Sequence, residues 1–291
     1  MIICDPNYCS NPLENWMRWI LRRIWWRIRL AFEWLRERTP WRHANNLSKE
    51  RPPEWKQSQL GSFFELMWSN AIATFANFGE AKRVKDIDAL LAHFLANASR
   101  VKDKGAVSVG LPLLLVIRTH SAFRAGASLA FGGAVPESMS ALRLCLETAG
   151  YASMMQGDEA LSMIWLNRGD NEETKQAARN AFRHSDVRSA LEQRNKTIAG
   201  IYQSLYEYLI DGGAHPNERG FIDSLQVEHL DDGGARLIQI YLQADPDVLE
   251  RGLRASAKIG VCALMIFEMM YPDDFRELGI TQKIPRVREG L

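Results

Sequence analysis

The sequence predicts an all-α protein, a bundle of about eight to ten helices with one small β-hairpin near 224–242. Apolar side chains recur three and four residues apart through most of the chain, and glycine or proline stands at the predicted helix ends. Period-2 alternation is confined to 224–230 and 235–242, which flank a DDGG turn. Two alternating stretches around such a turn are typical of a hairpin.

The first two predicted helices cover 56–78 and 83–103. Each carries a stripe of large apolar side chains at helical spacing, and each is followed by a glycine, Gly79 or Gly105, where an α-helix commonly ends. We therefore expect both helices to bury one face against the rest of the bundle.

Next comes a pair of mostly apolar helices, 111–131 and 136–156, joined by a Gly-Gly link. Pro112 and Pro136 suit the first turn of a helix, because the N–H that proline lacks has no partner there. The short link makes the two helices antiparallel neighbours. This central pair is the predicted middle of the bundle.

The second half of the bundle is predicted from N-cap residues, charge patterns and apolar stripes. A short segment, 186–194, connects two of its helices, and the tail 272–291 is expected to be mostly irregular. The predicted helices are a short one after the N-cap Asp158, then 171–184, 195–211 and 246–271.

The N-terminal part of the chain differs in composition from the rest. Residues 13–38 combine a broad apolar face, an arginine-rich face and flanking tryptophans, and 39–54 hold three prolines without helical periodicity. We predict two domains: a Trp/Arg-rich amphipathic helix with a Pro-rich linker over 1–54, and the helical bundle over 55–291. We expect this helix to dock on its own domain or on a second subunit; a membrane-surface anchor and a nucleic-acid arm are the alternatives.

Composition excludes several classes of protein. A net charge of +1 on 291 residues gives no general attraction to nucleic acid or anionic lipid. The four cysteines form no CxxC or zinc pattern, and Cys145 and Cys262 lie in apolar runs where a free thiol packs as a small hydrophobe. No stretch matches a signal peptide or a membrane-spanning helix. We expect a cytoplasmic protein, peripheral to the membrane if 13–38 attaches it, without a metal or cofactor.

Polar residues on the central pair, and a glycine-bounded loop after the helix over 195–211, form the first candidate site. Charge on an otherwise apolar helix is costly unless it is paired or lines a cleft. A simple intrahelical salt bridge and a solvated loop with a surface histidine are the structural alternatives. We predict one ligand-binding cleft, for a small anion or a protein partner, lined by His120, Arg124, Arg143, Glu147, Asp211, His215 and Asn217.

A second candidate site rests on a resemblance. Arg179, Asn180 and His184 have the RN-x-x-x-H spacing of HEPN ribonucleases, which the motif resembles. That resemblance implies a metal-independent ribonuclease acting on RNA, with His184 catalytic and the motif facing a partner subunit in a helical-bundle dimer. More broadly, 118–155, the region of Trp165 and YEYLIDGGAHPNERG look similar to uncharacterised bacterial helical proteins, some of them related to HEPN-like bundles. This similarity implies the fold over 60–280 and no established activity.

Other catalytic signatures are missing from the sequence, which has no glycine-rich phosphate loop, no HExxH and no G-x-S-x-G. The leading hypothesis is a bacterial helical protein that acts by binding, either as a single chain or as a homo-oligomer. The alternatives are a HEPN-type ribonuclease and a peripheral-membrane or scaffold protein attached through 13–38.

Overall fold

The computed structural model describes residues 51–55, 57–98, 107–215, 218–222, 224–231 and 233–291. The chain divides into two compact units, Met1–Ser62 and Phe63–Leu291. The predicted amphipathic helix over 13–38 lies outside the described residues. No helix among the described ranges combines the length and apolar character needed to cross a membrane.

The fold is an all-α bundle with a small antiparallel β-hairpin, which confirms the predicted fold class. The described elements, in chain order, are a 3₁₀ turn (Pro53–Trp55), α1 (Gln59–Asn77), α2 (Gly79–Ala98), α3 (Val107–Phe131), α4 (Val135–Met155), α5 (Glu159–Asn167), α6 (Glu172–Ala181), α7 (His184–Arg194), α8 (Lys196–Leu209), a π-helical turn (Ile210–Ala214), α9 (Glu218–Ile222), β1 (Leu225–His229), β2 (Ala235–Gln239), α10 (Pro246–Met270), α11 (Pro272–Glu277) and α12 (Ile284–Arg288).

The core forms where α3, α4 and α10 meet. Leu142 and Leu146 of α4, Phe123 of α3 and Phe267 of α10 have no exposed surface. Gly126 lets α3 and α4 approach closely, since a Cβ there would lie 2.7 Å from the Leu142 side chain. The predicted central pair is therefore the middle of the bundle, and its polar residues can face only the flanking helices or water.

Side chains cap four of the helices at the predicted types of residue. Asp158, Asn171, Asn195 and Asp245 precede α5, α6, α8 and α10, and each side-chain oxygen accepts a hydrogen bond from a backbone N–H of the first turn. Such caps are worth about 1 kcal/mol each. They fix the starts of α5 and α6, the two helices that shape the cleft described below.

Three local predictions were wrong. Pro112 lies inside α3, which begins five residues earlier at Val107, and the segment expected to be a short link forms the full helix α7. The tail 272–291 is not irregular, because it contains α11 and α12. Its two helices are only six and five residues long, too short for a helical period to be recognised from the sequence. The apolar residues of the tail are buried with those of the core; they are Phe275, Ile280, Ile284 and Val287.

Candidate functional site

The residues of the first candidate site lie in three separate settings. The first is an ion-pair cluster between α3 and α2. His120 Nε2 lies 2.7 Å from Asp88 Oδ1, and the Arg124 guanidinium donates to both Asp88 oxygens at 2.7 and 2.9 Å. Burial would raise the pKa of Asp88, but the hydrogen bonds from His120 and Arg124 outweigh it and hold that pKa well below 3.8. His120 and Arg124 are thus engaged in joining two helices.

The second setting is a polar cluster formed by Arg143, Glu147, Tyr206 and His184. Arg143 Nε donates to Glu147 Oε1 at 2.8 Å within α4, and Arg143 Nη2 donates to the Tyr206 hydroxyl of α8 at 3.0 Å. The guanidinium also lies over the Tyr206 ring, 5.1 Å from its centroid. The salt bridge expected within the helix is therefore extended to a neighbouring helix.

His184, from the second candidate site, completes this polar cluster. Its ring stacks on Tyr206 with 3.6 Å between centroids, and Tyr202 follows at 5.5 Å. The Nε2 atom is buried and finds no hydrogen-bond partner among the described residues. Burial lowers the pKa of His184 below 6.5, Glu147 raises it and Arg143 lowers it further. The imidazole is therefore mainly neutral at pH 7.

The third setting is the turn after α8. Asp211 is exposed and lines a small cleft of about 240 Å³ together with Pro136, Met139 and Arg251. His215 is exposed, and Asn217 lies outside the described residues. The turn packs on the start of α4, because a Cβ on Gly212 would contact Met139.

Beside the polar cluster lies a larger cleft between α4, α5 and α6, named here the cationic cleft. Its volume is about 780 Å³, within the range of small-molecule sites. The described residues that line it are Tyr151, Trp165, Arg168, Gly169, Asn171, Glu172, Lys175, Ala178, Arg179 and Phe182.

Aromatic side chains form one wall of the cationic cleft. The rings of Tyr151 and Phe182 pack with 5.1 Å between centroids, and the Tyr151 hydroxyl donates to the Phe182 carbonyl at 3.1 Å. Trp165 of α5 adds a third ring and carries the Arg168 guanidinium over its face at 5.6 Å. Phe182 is buried, whereas Tyr151 and Trp165 are partly exposed and offer aromatic surface on which a planar ligand can stack.

Three cations, Arg168, Lys175 and Arg179, line the cationic cleft. Lys175 pairs with Glu172 at 2.8 Å, and both of these side chains are exposed. Neither Arg168 nor Arg179 has an ion pair within the described residues. Glu172 is the one acidic residue of the described lining, so positive charge prevails there. Guanidinium groups without a carboxylate partner are well suited to bind phosphate or carboxylate.

The cationic cleft was not predicted, although Arg179 and Trp165 had been singled out for other reasons. One sequence signal points to it: Lys175 and Arg179 are four residues apart on a short helix, where like charges repel. Such repulsion is relieved when an anion binds between the two groups. Arg168 and Trp165 come from a different helix, and no spacing in the sequence connects them with α6.

The three residues of the ribonuclease motif lie in different settings. Arg179 lines the cationic cleft at the end of α6, whereas His184 opens α7 and belongs to the polar cluster. Asn180 is exposed, and its side-chain oxygen accepts hydrogen bonds from Gln176 and Arg183. Arg179 therefore belongs to α6 and His184 to α7, on either side of the short link 182–183.

In the part of the chain that the structure describes, no group of three or more His, Cys, Asp or Glu side chains is placed to hold a metal ion. Comparison with protein families, with curated proteins and with solved structures found no match for this chain. The resemblance to HEPN-like bundles stays a prediction, and the proposal below rests on geometry and charge.

Proposed function

We propose that the protein is a binding protein for a small anionic ligand that carries a planar ring, and that the ligand occupies the cationic cleft. One observation carries the proposal: Arg168, Lys175 and Arg179 line the same cleft as the aromatic residues Tyr151, Trp165 and Phe182. The predicted mode of action, binding of a small anion, is retained, while its place moves from the His215 loop to this cleft.

The charges account for the anionic part of the ligand. An arginine bound to phosphate or carboxylate forms short, charge-assisted hydrogen bonds, each stronger than a neutral one. Three cations against the single carboxylate of Glu172 leave the lining with a net positive charge. A neutral ligand would leave this repulsion in place, so an anion is the better fit.

The aromatic wall accounts for the ring. Tyr151 and Phe182 are held by mutual packing and by one hydrogen bond, so their surfaces are already in place before a ligand arrives. A planar ring that stacks on such a surface buries apolar area on both sides. Inorganic phosphate lacks a ring and is expected to bind more weakly than a phosphorylated aromatic compound.

The test is calorimetric titration of the full chain with AMP, phenyl phosphate and inorganic phosphate. We expect saturable binding in the order phenyl phosphate or AMP over phosphate, and a loss of at least tenfold in affinity for Arg179→Ala and Arg168→Ala, about 1.4 kcal/mol each. Arg236→Ala is the matched control, because Arg236 is an exposed arginine of the hairpin outside the cleft.

Two results would overturn the proposal. One is the absence of saturable binding for every ring-bearing anion at millimolar concentration. The other is binding that Arg179→Ala and Arg168→Ala leave unchanged, or that Arg236→Ala weakens equally, since the bound anion would then lie elsewhere on the surface.

A second candidate is the ribonuclease implied by the HEPN resemblance. It is favoured by the neutral state and the unpartnered Nε2 of His184, which suit a general base, and by Arg179 in a cationic cleft. It comes second because His184 stacks on Tyr206 and is not among the described residues that line the cleft. Cleavage of single-stranded RNA in the presence of EDTA, abolished by His184→Ala, would establish it in place of the binding protein.

A further inference from the structure

We propose that the chain forms a two-fold homodimer through an apolar stripe on α1, and this inference is independent of the cationic cleft. The stripe consists of Trp68, Ala71, Ile72 and Phe75. Trp68, Ile72 and Phe75 are 69%, 57% and 55% exposed, although they are among the largest apolar side chains of the helix. Their spacing of three and four residues places them along one side of α1.

The opposite side of α1 already has its partners. Thr74 is 1% exposed, and the Asn70 amide donates to the Gly132 carbonyl at the end of α3. Within the stripe, Phe75 also packs against Phe131 of α3, with 5.9 Å between the ring centroids, and still leaves 55% of its surface exposed. Large apolar residues on the outward side of a docked helix mark an interaction surface rather than a core.

A groove runs beside the stripe. It has a volume of about 560 Å³ and lies between α1 and α3, with Phe123, Ala127 and Phe131 on the α3 side. Lys85, Asp88 and Arg124 also line it. Because Asp88 is bound to Arg124, these charged side chains leave the groove predominantly apolar. Side chains of an apolar helix would fit into it as ridges into a groove.

The absence of lysine and arginine from α1 limits the occupant. From Leu66 to Gly79 the sequence has no charged residue. An amphipathic helix that binds a membrane surface normally presents lysine or arginine beside its apolar face, and this helix does not. The occupant is therefore another apolar protein surface.

The stripe is complementary to itself, which identifies that surface as a second copy. In an antiparallel pair of α1 helices with its axis between Ala71 and Ile72, Trp68 of each copy faces Phe75 of the other. Ala71 then faces Ile72, and the small side chain at the axis permits close approach of the two helices. An isologous contact of this kind closes as a dimer and leaves no stripe exposed.

The stripe supplies the apolar centre of a dimer interface rather than all of its area. The exposed parts of Trp68, Ile72 and Phe75 amount to roughly 350 Å² of apolar surface per copy. The groove walls on α3 supply further area toward the approximately 800 Å² that each partner buries in a standard interface. A tryptophan near the centre of such an interface is a typical hot spot.

The experiment is light scattering coupled to gel filtration on the full chain, with analytical ultracentrifugation for the dissociation constant. The expected mass is twice the 33.1 kDa of one chain. Trp68→Arg should weaken dimerisation by at least about 30-fold. Leu66→Arg is the matched control: Leu66 is 53% exposed on the other side of the same helix, and this variant should stay dimeric.

A cross-link keeps the test decisive if Trp68→Arg does not fold. Ala71→Cys lies next to the proposed axis, so in a Cys4→Ser, Cys9→Ser background it should form a disulfide between two chains under mild oxidation, while Leu66→Cys should not. A monomeric wild-type chain at about 100 μM overturns the proposal. So does a dimer that Trp68→Arg and Leu66→Arg affect equally. Either result would assign the stripe to another segment of the chain or to a different partner.

Discussion

Replacing Asp88 by alanine tests whether His120 and Arg124 are structural rather than ligand-binding residues. The carboxylate accepts from His120 Nε2 at 2.7 Å and from two nitrogens of Arg124. Asp88→Ala leaves the His120 ring, 10% exposed, without its acceptor, which costs about 1–3 kcal/mol. Arg124 is 58% exposed and adds only about 0.2–1 kcal/mol. We expect a loss of about 2–3 kcal/mol in the free energy of unfolding.

The pH dependence of this loss provides a second criterion. The pKa of Asp88 is depressed in the folded protein, so the unfolded chain binds its proton first as the pH falls. The stability that Asp88 contributes is fully present above about pH 4 and is lost as the pH falls through the folded-state pKa. The difference between wild type and Asp88→Ala should therefore be smaller at about pH 3 than at about pH 7.

Urea unfolding followed by circular dichroism at both pH values measures this difference. Asp86→Ala on the same helix is the control, because Asp86 forms only an exposed ion pair with Lys85 at 3.9 Å. Its expected cost is below about 0.5 kcal/mol. The reasoning is refuted if Asp88→Ala costs no more than Asp86→Ala, or if its cost does not change with pH.

Three further predictions concern the core and the polar cluster. Burial lowers the pKa of His184, so the unfolded chain binds a proton at this imidazole more readily than the folded protein does. The free energy of unfolding should therefore decrease as the pH falls from about 7 to about 5.5. In urea titrations, His184→Gln should make the free energy of unfolding depend less on pH over this range. Gly150→Ala should lower the free energy of unfolding by about 1–3 kcal/mol, because its Cβ would lie 2.6 Å from a buried valine. At Gly200 an added Cβ would meet no atom within 4 Å, so Gly200→Ala should raise the free energy of unfolding by about 0.4–1 kcal/mol, as measured in thermal melts. Burial raises the pKa of the Cys262 thiol to about 12 and that of Cys145 further; peptide mapping should find neither alkylated before unfolding.

The sequence predicted the fold well because the bundle depends on local signals. Helical spacing of apolar residues, the N-caps and the Gly-Gly link between α3 and α4 each act over a few residues, and each is visible in one sequence. The hairpin was predicted for the same reason, since its turn and both strands are contiguous. The tail was missed because α11 and α12 are only six and five residues long, shorter than the stretch in which a helical period is recognised, and because α2, one of the helices they contact, is distant in the chain.

The candidate site was predicted less well because side-chain partners come from distant elements. Arg143 and Glu147 were identified as a pair, but Tyr206, 63 residues from Arg143, gives no sign of its role in the sequence. Likewise, Asp88 lies 32 residues from His120, which it binds. One sequence without an alignment contains no record of such contacts, so the polar residues could be recognised while their grouping could not.

The two predicted sites are connected through Tyr206. His184 was interpreted together with Arg179, but it packs on Tyr206, which also binds Arg143. Tyr151 follows Glu147 by one helical turn, and burial together with Glu147 raises the pKa of its hydroxyl. The Tyr151 hydroxyl donates a hydrogen bond to the backbone carbonyl of Phe182, which also lines the cationic cleft.

The polar cluster is therefore connected to the aromatic wall of the cationic cleft through Tyr151. Under the proposed function, Arg143 and Glu147 position Tyr151 rather than contact the ligand. Truncating either should weaken binding through the wall, while the charge that attracts the anion stays with Arg168 and Arg179. An effect on affinity for phenyl phosphate without one on inorganic phosphate would separate positioning of the wall from attraction of the anion, because only the ring requires the wall.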